Sequence, residues 1–152
     1  MAQQNYHRTP LSWAAGNGHP DPDVLKTFLD SGRYETDYDQ PDLTGRTPLS
    51  HTAGNGYDEC VGVLLNSEKV DLNTPDNQGQ TPLLWAVKPG KIRAIQLLLE
   101  HRGVDVNMVV HEGKSALTWA AYEGDNRSAE LLLARGEVNP DLTNIDGRTP
   151  LS

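Results

Sequence analysis

The chain has 152 residues, a formal net charge of −8 and 36% apolar residues, enough for one domain with a core but lean for a compact globule. That charge argues against a phosphate-neutralising nucleic-acid surface and against docking on anionic lipid, and no apolar run approaches the length of a membrane span. A single cysteine, Cys60, excludes an internal disulfide framework and fits a reducing, intracellular compartment.

Taken in chain order, Thr9-Pro10-Leu11 opens the first helix. The threonine is placed to cap free N–H groups, and the proline fills the first turn, where its missing N–H costs nothing. Leu11, Ala14 and Ala15 share one face, and Gly18 ends the helix. Asp21-Pro22 opens a second helix whose Leu25, Phe28 and Leu29 follow the i, i+3, i+4 spacing of one buried stripe. A turn at Asp42–Gly45 leads into the next unit at Thr47, with Gly56 as breaker, Asp58 as expected cap and Val61/Leu64/Leu65 as stripe. The turn at Asp76–Gly79 precedes Thr81, Gly90 and Ile95/Leu98/Leu99. Ser115, Gly124, Asp125 and Ala129/Leu132/Leu133 follow in the same order. The runs HRTPLSWAAGNG, GRTPLSHTAGNG, GQTPLLWAVKPG, GKSALTWAAYEG and GRTPLS place the anchors Thr9, Thr47, Thr81, Ser115 and Thr149 at spacings of 38, 34, 34 and 34 residues.

This wording, T-P-L-x-x-A-A, a glycine, a V-x-x-L-L helix, G-x-D-V-N and D-x-x-G, resembles the ankyrin repeat over essentially the whole chain. It is similar to the repeats abundant in large fungal multi-repeat proteins. The resemblance implies an all-α fold, an α-solenoid of stacked helix–turn–helix units with β-hairpin fingers. About four repeats, at approximately 5–38, 39–76, 77–110 and 111–144, and a partial fifth at 145–152 form a single domain over 1–152. No unit can bury its apolar stripe alone, so neighbours must stack. The first unit is four residues longer than the others, with two extra residues at His19–Pro22 and two at Asp37–Asp42. In the fourth unit Ser115-Ala116 replaces Thr-Pro and Val110 replaces the finger aspartate. Both ends are abrupt, as in a segment of a longer protein or an array with crude ends. A monomer with weak end-to-end self-association is expected.

Catalytic, metal and cofactor motifs are incomplete throughout. Gly113-Lys114-Ser115 lacks the upstream glycine of a phosphate-binding loop. Asp37, Asp39 and Asp42 lack the central glycine and distal glutamate of a calcium loop. The histidines His7, His19, His51, His101 and His111 share no ligand spacing. Cys60 stands where later units have Ala94 and Ser128, a small packing position. The reading is of no enzyme, no cofactor and no metal.

Three features point to recognition instead. Trp13, Trp85 and Trp119 share one repeat position, with His51 in the remaining slot. The helical wheel turns them away from the core stripe towards the base of the fingers, either packed beneath the fingers or as an aromatic row for a partner. Met108-Val109-Val110-His111-Glu112 places apolar residues where other fingers are polar. Between His19 and Asp76 there are 12 acidic and 4 basic residues, which solubilises the chain or attracts a basic segment of a partner. The family resemblance implies a protein–protein interaction scaffold that binds through finger tips and first helices. By position these are Leu43, Thr44 and Arg46; Asn77, Gln78 and Gln80; His111, Glu112 and Lys114; and Asn17, Asn55, Lys88 and Tyr122. A structural spacer, or a regulatory segment of a larger signalling protein or enzyme, stays open beside it.

If stacking supplies the stability, Leu98→Ala in the middle of the array costs about 2–5 kcal/mol. It costs more than Leu132→Ala further along, and urea melts of the two variants measure the difference.

Overall fold

The structure, a computed structural model, describes residues 8–16, 21–32, 38–142 and 147–149. Among these residues there are eight helices and no strand: α1 (Pro10–Gly16), α2 (Pro22–Asp30), α3 (Pro48–Asn55), α4 (Asp58–Asn66), α5 (Pro82–Val87), α6 (Ile92–Glu100), α7 (Ala116–Glu123) and α8 (Asn126–Ala134). They pair as α1/α2, α3/α4, α5/α6 and α7/α8. The first helices α1, α3, α5 and α7 stack in one row, and α2, α4, α6 and α8 in a second.

Leu49, Leu83 and Leu117 from the first row and Leu25, Leu64, Leu98 and Leu132 from the second have almost no exposed surface. The predicted stripes therefore face inward, with one correction: Leu133, expected in the fourth stripe, is 45% exposed, and Leu132 alone of that stripe is fully buried. Ala15, Ala53, Ala86 and Ala120 are buried with them, small side chains that let neighbouring helices come close.

The helix starts follow the sequence. Thr9, Thr47, Thr81 and Ser115 accept from the N–H of Ser12, Ser50, Leu84 and Thr118 at 3.1–3.3 Å, which satisfies donors the helix itself leaves free. Asp21 and Asp125 likewise cap α2 and α8. The expected cap at Asp58 is not made. Asp58 is the first helical residue, and the cap position one place earlier belongs to Tyr57, which has no side-chain cap bond. Helix α5 stops at Val87, because Pro89 brings no N–H with which to continue it.

A second set of bonds joins units at the ends of the second helices. Asn73 Oδ1 accepts from the Asp105 N–H, and its Nδ2 donates to the Gly103 carbonyl, both at 2.8 Å. Asn107, 34 residues on, accepts from the Asn139 N–H at 2.7 Å and donates to the Glu137 carbonyl at 2.8 Å. Asp39 holds the same position one unit earlier and accepts from the Asp71 N–H at 2.8 Å. Lys69 Nζ reaches the carbonyl of Leu29, and Arg135 that of Leu99, so each cation closes the carboxyl end of the previous unit's helix.

One backbone position is strained. Glu68 has φ 54°, whereas the corresponding loops of the first and fourth units place Gly32 (φ 54°) and Gly136 (φ 72°) there. A side chain in this left-handed region costs about 1–2 kcal/mol, and glycine's extra unfolded-state freedom offsets about 0.5–1 kcal/mol of the relief. Glu68→Gly is expected to raise stability by about 0.5 kcal/mol and Gly136→Val to lower it by about 1–2 kcal/mol, read from urea midpoints.

Candidate protein-binding surface

Each finger is a turn closed by the backbone. The N–H of Asp42 donates to the Arg46 carbonyl and the N–H of Gly45 to the Asp42 carbonyl, with the same pair at Asp76/Gln80 and Gly79/Asp76. These turns stand where β-hairpins are expected. Gly45, at φ 83°, has no room for a side chain, since a Cβ would lie 2.5 Å from the Asn77 nitrogen. That close approach allows the Asn77 N–H to donate to the Thr44 carbonyl at 3.0 Å and its side-chain amide to the Leu43 carbonyl at 2.9 Å. Fingers two and three are thereby joined.

The finger aspartate does two jobs. Asp42 Oδ1 accepts from the Thr44 N–H, the Thr44 hydroxyl and the Arg46 N–H at 2.8, 2.6 and 3.1 Å, while Oδ2 meets His51 Nε2 at 2.9 Å. Asp76 Oδ1 accepts from the N–H groups of Gln78 and Gln80, and Oδ2 from Trp85 Nε1 at 3.0 Å. In α3 and α5 the aromatic position is therefore a strut that fixes the finger above it. Burial alone would raise the Asp42 carboxyl, but the bonds from Thr44, Arg46 and His51 outweigh it and hold the pKa below its ordinary value. His51 is pushed down to about 4, mainly by burial and then by Arg46 and Arg8. It is the neutral ring, donating from Nε2, that braces Asp42.

Cations lie over the aromatic rings. The Arg46 guanidinium is 3.7 Å from the Trp85 ring centre in the next unit, and Arg8 is 4.8 Å from that of Trp13. Lys88 and Lys114 lie 4.3 and 5.1 Å from the Trp119 ring centre. Such contacts contribute roughly 0.5–2 kcal/mol, and those of Arg46 and Lys88 cross the seams between units. The row of tryptophans is thus packed beneath the fingers at Trp85, whereas Trp13 is 42% exposed.

The expected contact residues sort by depth. Leu43, Thr44, Asn55, Asn77, Gln78, Val109, His111, Glu112 and Tyr122 are exposed, with Tyr122 at 73%. Arg46, Trp85, Lys88, Met108, Val110, Lys114 and Trp119 are half-buried along the seams. His51 and Gln80 are buried, and Asn17 lies outside the described residues. The acids between His19 and Asp76 are divided between the turns and the second-helix side, and Glu35 and Asp37 lie outside the described residues. Asp42 and Asp76 are buried inside their own turns, while the exposed Asp23, Asp30, Glu59, Glu68 and Asp71 lie on α2, α4 and the loop after α4. The strut itself escapes a reading by motif. Its signal is the constant nine-residue step from Asp42 to His51, Asp76 to Trp85 and Val110 to Trp119.

Two groups singled out by chemistry have structural work. Ser115 of the Gly-Lys-Ser run is the cap of α7. The Cys60 thiol is buried and raised to about 11, first by burial and then by Glu59 and Asp21, far from a reactive thiolate. Among the described residues no group of three or more His, Cys, Asp or Glu side chains is arranged to hold a metal, and no helix is long and apolar enough to cross a membrane.

Paired helices stacked in two rows beneath braced turns define a helical-repeat solenoid. A family model of three ankyrin repeats matches residues 11–109, and a further ankyrin repeat matches residues 112–145. The chain belongs to the ankyrin repeat family, whose members are generally non-catalytic modules of protein–protein interaction. No curated protein matches it.

The His51 strut carries a pH signature. Its folded pKa of about 4 lies below the ordinary 6.5, so the unfolded chain binds the proton first as pH falls. Stability is complete above about 6.5 and falls by roughly 2–3 kcal/mol as pH drops towards 4. His51→Trp, which copies the Trp85 strut, is expected to abolish that loss in urea melts between pH 7 and 4.

Proposed function

We propose that the chain is a recognition scaffold, without enzymatic activity of its own, that binds an extended segment of a partner protein. The segment lies along the finger tips and the adjoining face of α3, α5 and α7. The observation that carries this reading is the contrast between exposed tips and fixed bases. Leu43, Thr44, Asn77, Gln78, His111 and Glu112 are open to solvent on turns closed by backbone bonds, two of them anchored by Asp42 and Asp76. A surface ordered before binding loses little entropy on association, and exposed Leu43, Val109 and Tyr122 offer apolar anchors. An intracellular setting, in which Cys60 remains a thiol, is part of the proposal. Because Asp42 and Asp76 are bound internally while Arg46, Lys88 and Lys114 line the seams, this side favours an acidic partner segment over a basic one.

Peptides selected against the chain from a displayed random library test the location. Leu43→Asp and Tyr122→Ala are each expected to weaken the selected peptides about tenfold or more. Arg93→Ala and Glu130→Ala, on exposed positions of α6 and α8, leave binding unchanged. The opposite pattern would move recognition to the second row of helices.

A further inference from the structure

The fourth unit lacks one half of the strut. Asp42 and Asp76 accept from the ring N–H of His51 and Trp85, nine residues on, at 2.9 and 3.0 Å. In the fourth unit the carboxylate position is Val110. Trp119 keeps its indole, but Nε1 is closed to solvent and has no hydrogen-bond partner among the described residues. A buried N–H in that state has given up water without gaining a partner, so the position favours any acceptor that can reach it.

Three further observations concern the space beside it. Fingers two and three are joined through Asn77, but among the described residues no hydrogen bond joins the finger at 76–80 to the finger at 110–114. Between these two fingers opens a cleft of about 330 Å³, lined among others by Gln78, Gln80, Lys88, Val110, Glu112 and Trp119. That volume is at the small end of ligand sites and suits a side chain or two of a peptide. Its lining holds one cation, Lys88, and one carboxylate, Glu112, and a second cation, Lys114, stands beside it. The Lys88 and Lys114 ammoniums lie 4.3 and 5.1 Å from the Trp119 ring centre. Lys88 Nζ donates to the neutral Gln80 Oε1 at 2.8 Å. Lys114 pairs at 3.0 Å with Glu112, whose side chain is 66% exposed and is readily exchanged for another carboxylate.

We infer that the cleft between the third and fourth fingers receives an aspartate or glutamate side chain of the partner protein, which restores in trans the carboxylate that Asp42 and Asp76 supply within their own units. The incoming carboxylate meets Lys88 and Lys114 first. As the side chains over the indole give way, it accepts the Trp119 Nε1–H. Lys88 gains a charged partner, Lys114 exchanges Glu112 for it, and the orphaned donor is satisfied. The inference rests on the finger-side reading above and adds the chemistry of one partner residue and the place where it docks.

The test uses the whole chain, labelled with nitrogen-15, whose three indole N–H signals report separately. The probes are the acetylated peptide amide Ala-Asp-Ala and its uncharged isostere Ala-Asn-Ala. The aspartyl peptide is expected to move the Trp119 signal downfield and saturably while the Trp85 signal stays in place, and the asparaginyl peptide to bind about tenfold or more weakly. Lys88→Gln weakens the aspartyl peptide by a similar factor. Val110→Asp supplies the carboxylate internally, so it shifts the Trp119 signal without peptide and abolishes binding; Val110→Asn serves the same comparison if that variant does not fold. An unmoved Trp119 signal, or equal binding of the two peptides, overturns the inference. Library-selected peptides separate it from the broader reading. If they depend on Leu43 and Tyr122 but bind Val110→Asp as tightly as the parent, the cleft inference fails and the finger-side reading stands. If they depend on Arg93 and Glu130 alone, both fail.

Discussion

Each unit of this array leaves one side of its leucines and alanines uncovered, and only the next unit can cover it. Leu49, Leu83 and Leu117 are buried because they lie between neighbours, and so are Leu64 and Leu98 in the second row. Everything else in the structure keeps that apposition in register. The threonine caps set where each first helix begins, and the asparagines at 73 and 107 clasp the following unit at both a donor and an acceptor. A repeat of 34 residues is thus enforced twice, by packing on the first row and by hydrogen bonding at the loops.

The fingers depend on the same economy of positions. A turn that projects into water has few contacts of its own, and a bare loop there would be mobile. The finger aspartate solves this by using one carboxylate oxygen for the turn and the other for a ring on the helix below. The arrangement also explains why the aromatic position tolerates histidine in one unit and tryptophan in the others. Both present a ring N–H, and the geometry asks only for that.

Much of the fold was legible in the residues. Recurrent Thr-Pro-Leu, the leucine stripes and the glycine breakers each encode a local preference, and all of them agree with the stacked arrangement. What was not legible depended on offsets of a single residue or on contacts between units. Asp58 has the right chemistry for a cap and sits one place too late. Pro89 shortens α5, although the repeat wording around it is intact. The formal charge places acids in the first two units, but a sum cannot tell Asp42, locked inside its turn, from Asp30, open on α2. The candidate surface was legible at its tips, where exposure follows from finger position. At its base it was not, because His51 and Gln80 are buried by neighbours that a linear pattern does not display.

The seams are also unequal as mechanical joints. Between the second and third units the fingers are fastened by Asn77, and Arg46 bridges to Trp85. Between the third and fourth, no hydrogen bond joins the fingers among the described residues, and the shortened α5 meets α7 less extensively than it meets α3, which leaves the clasps of Asn107 and Arg135 at the loops to hold the seam. Under tension applied along the stack, load passes through every seam in series and concentrates on the least fastened one. Of these two seams the one beside Trp119 would therefore part first, and the array would stretch in discrete steps rather than as a uniform spring.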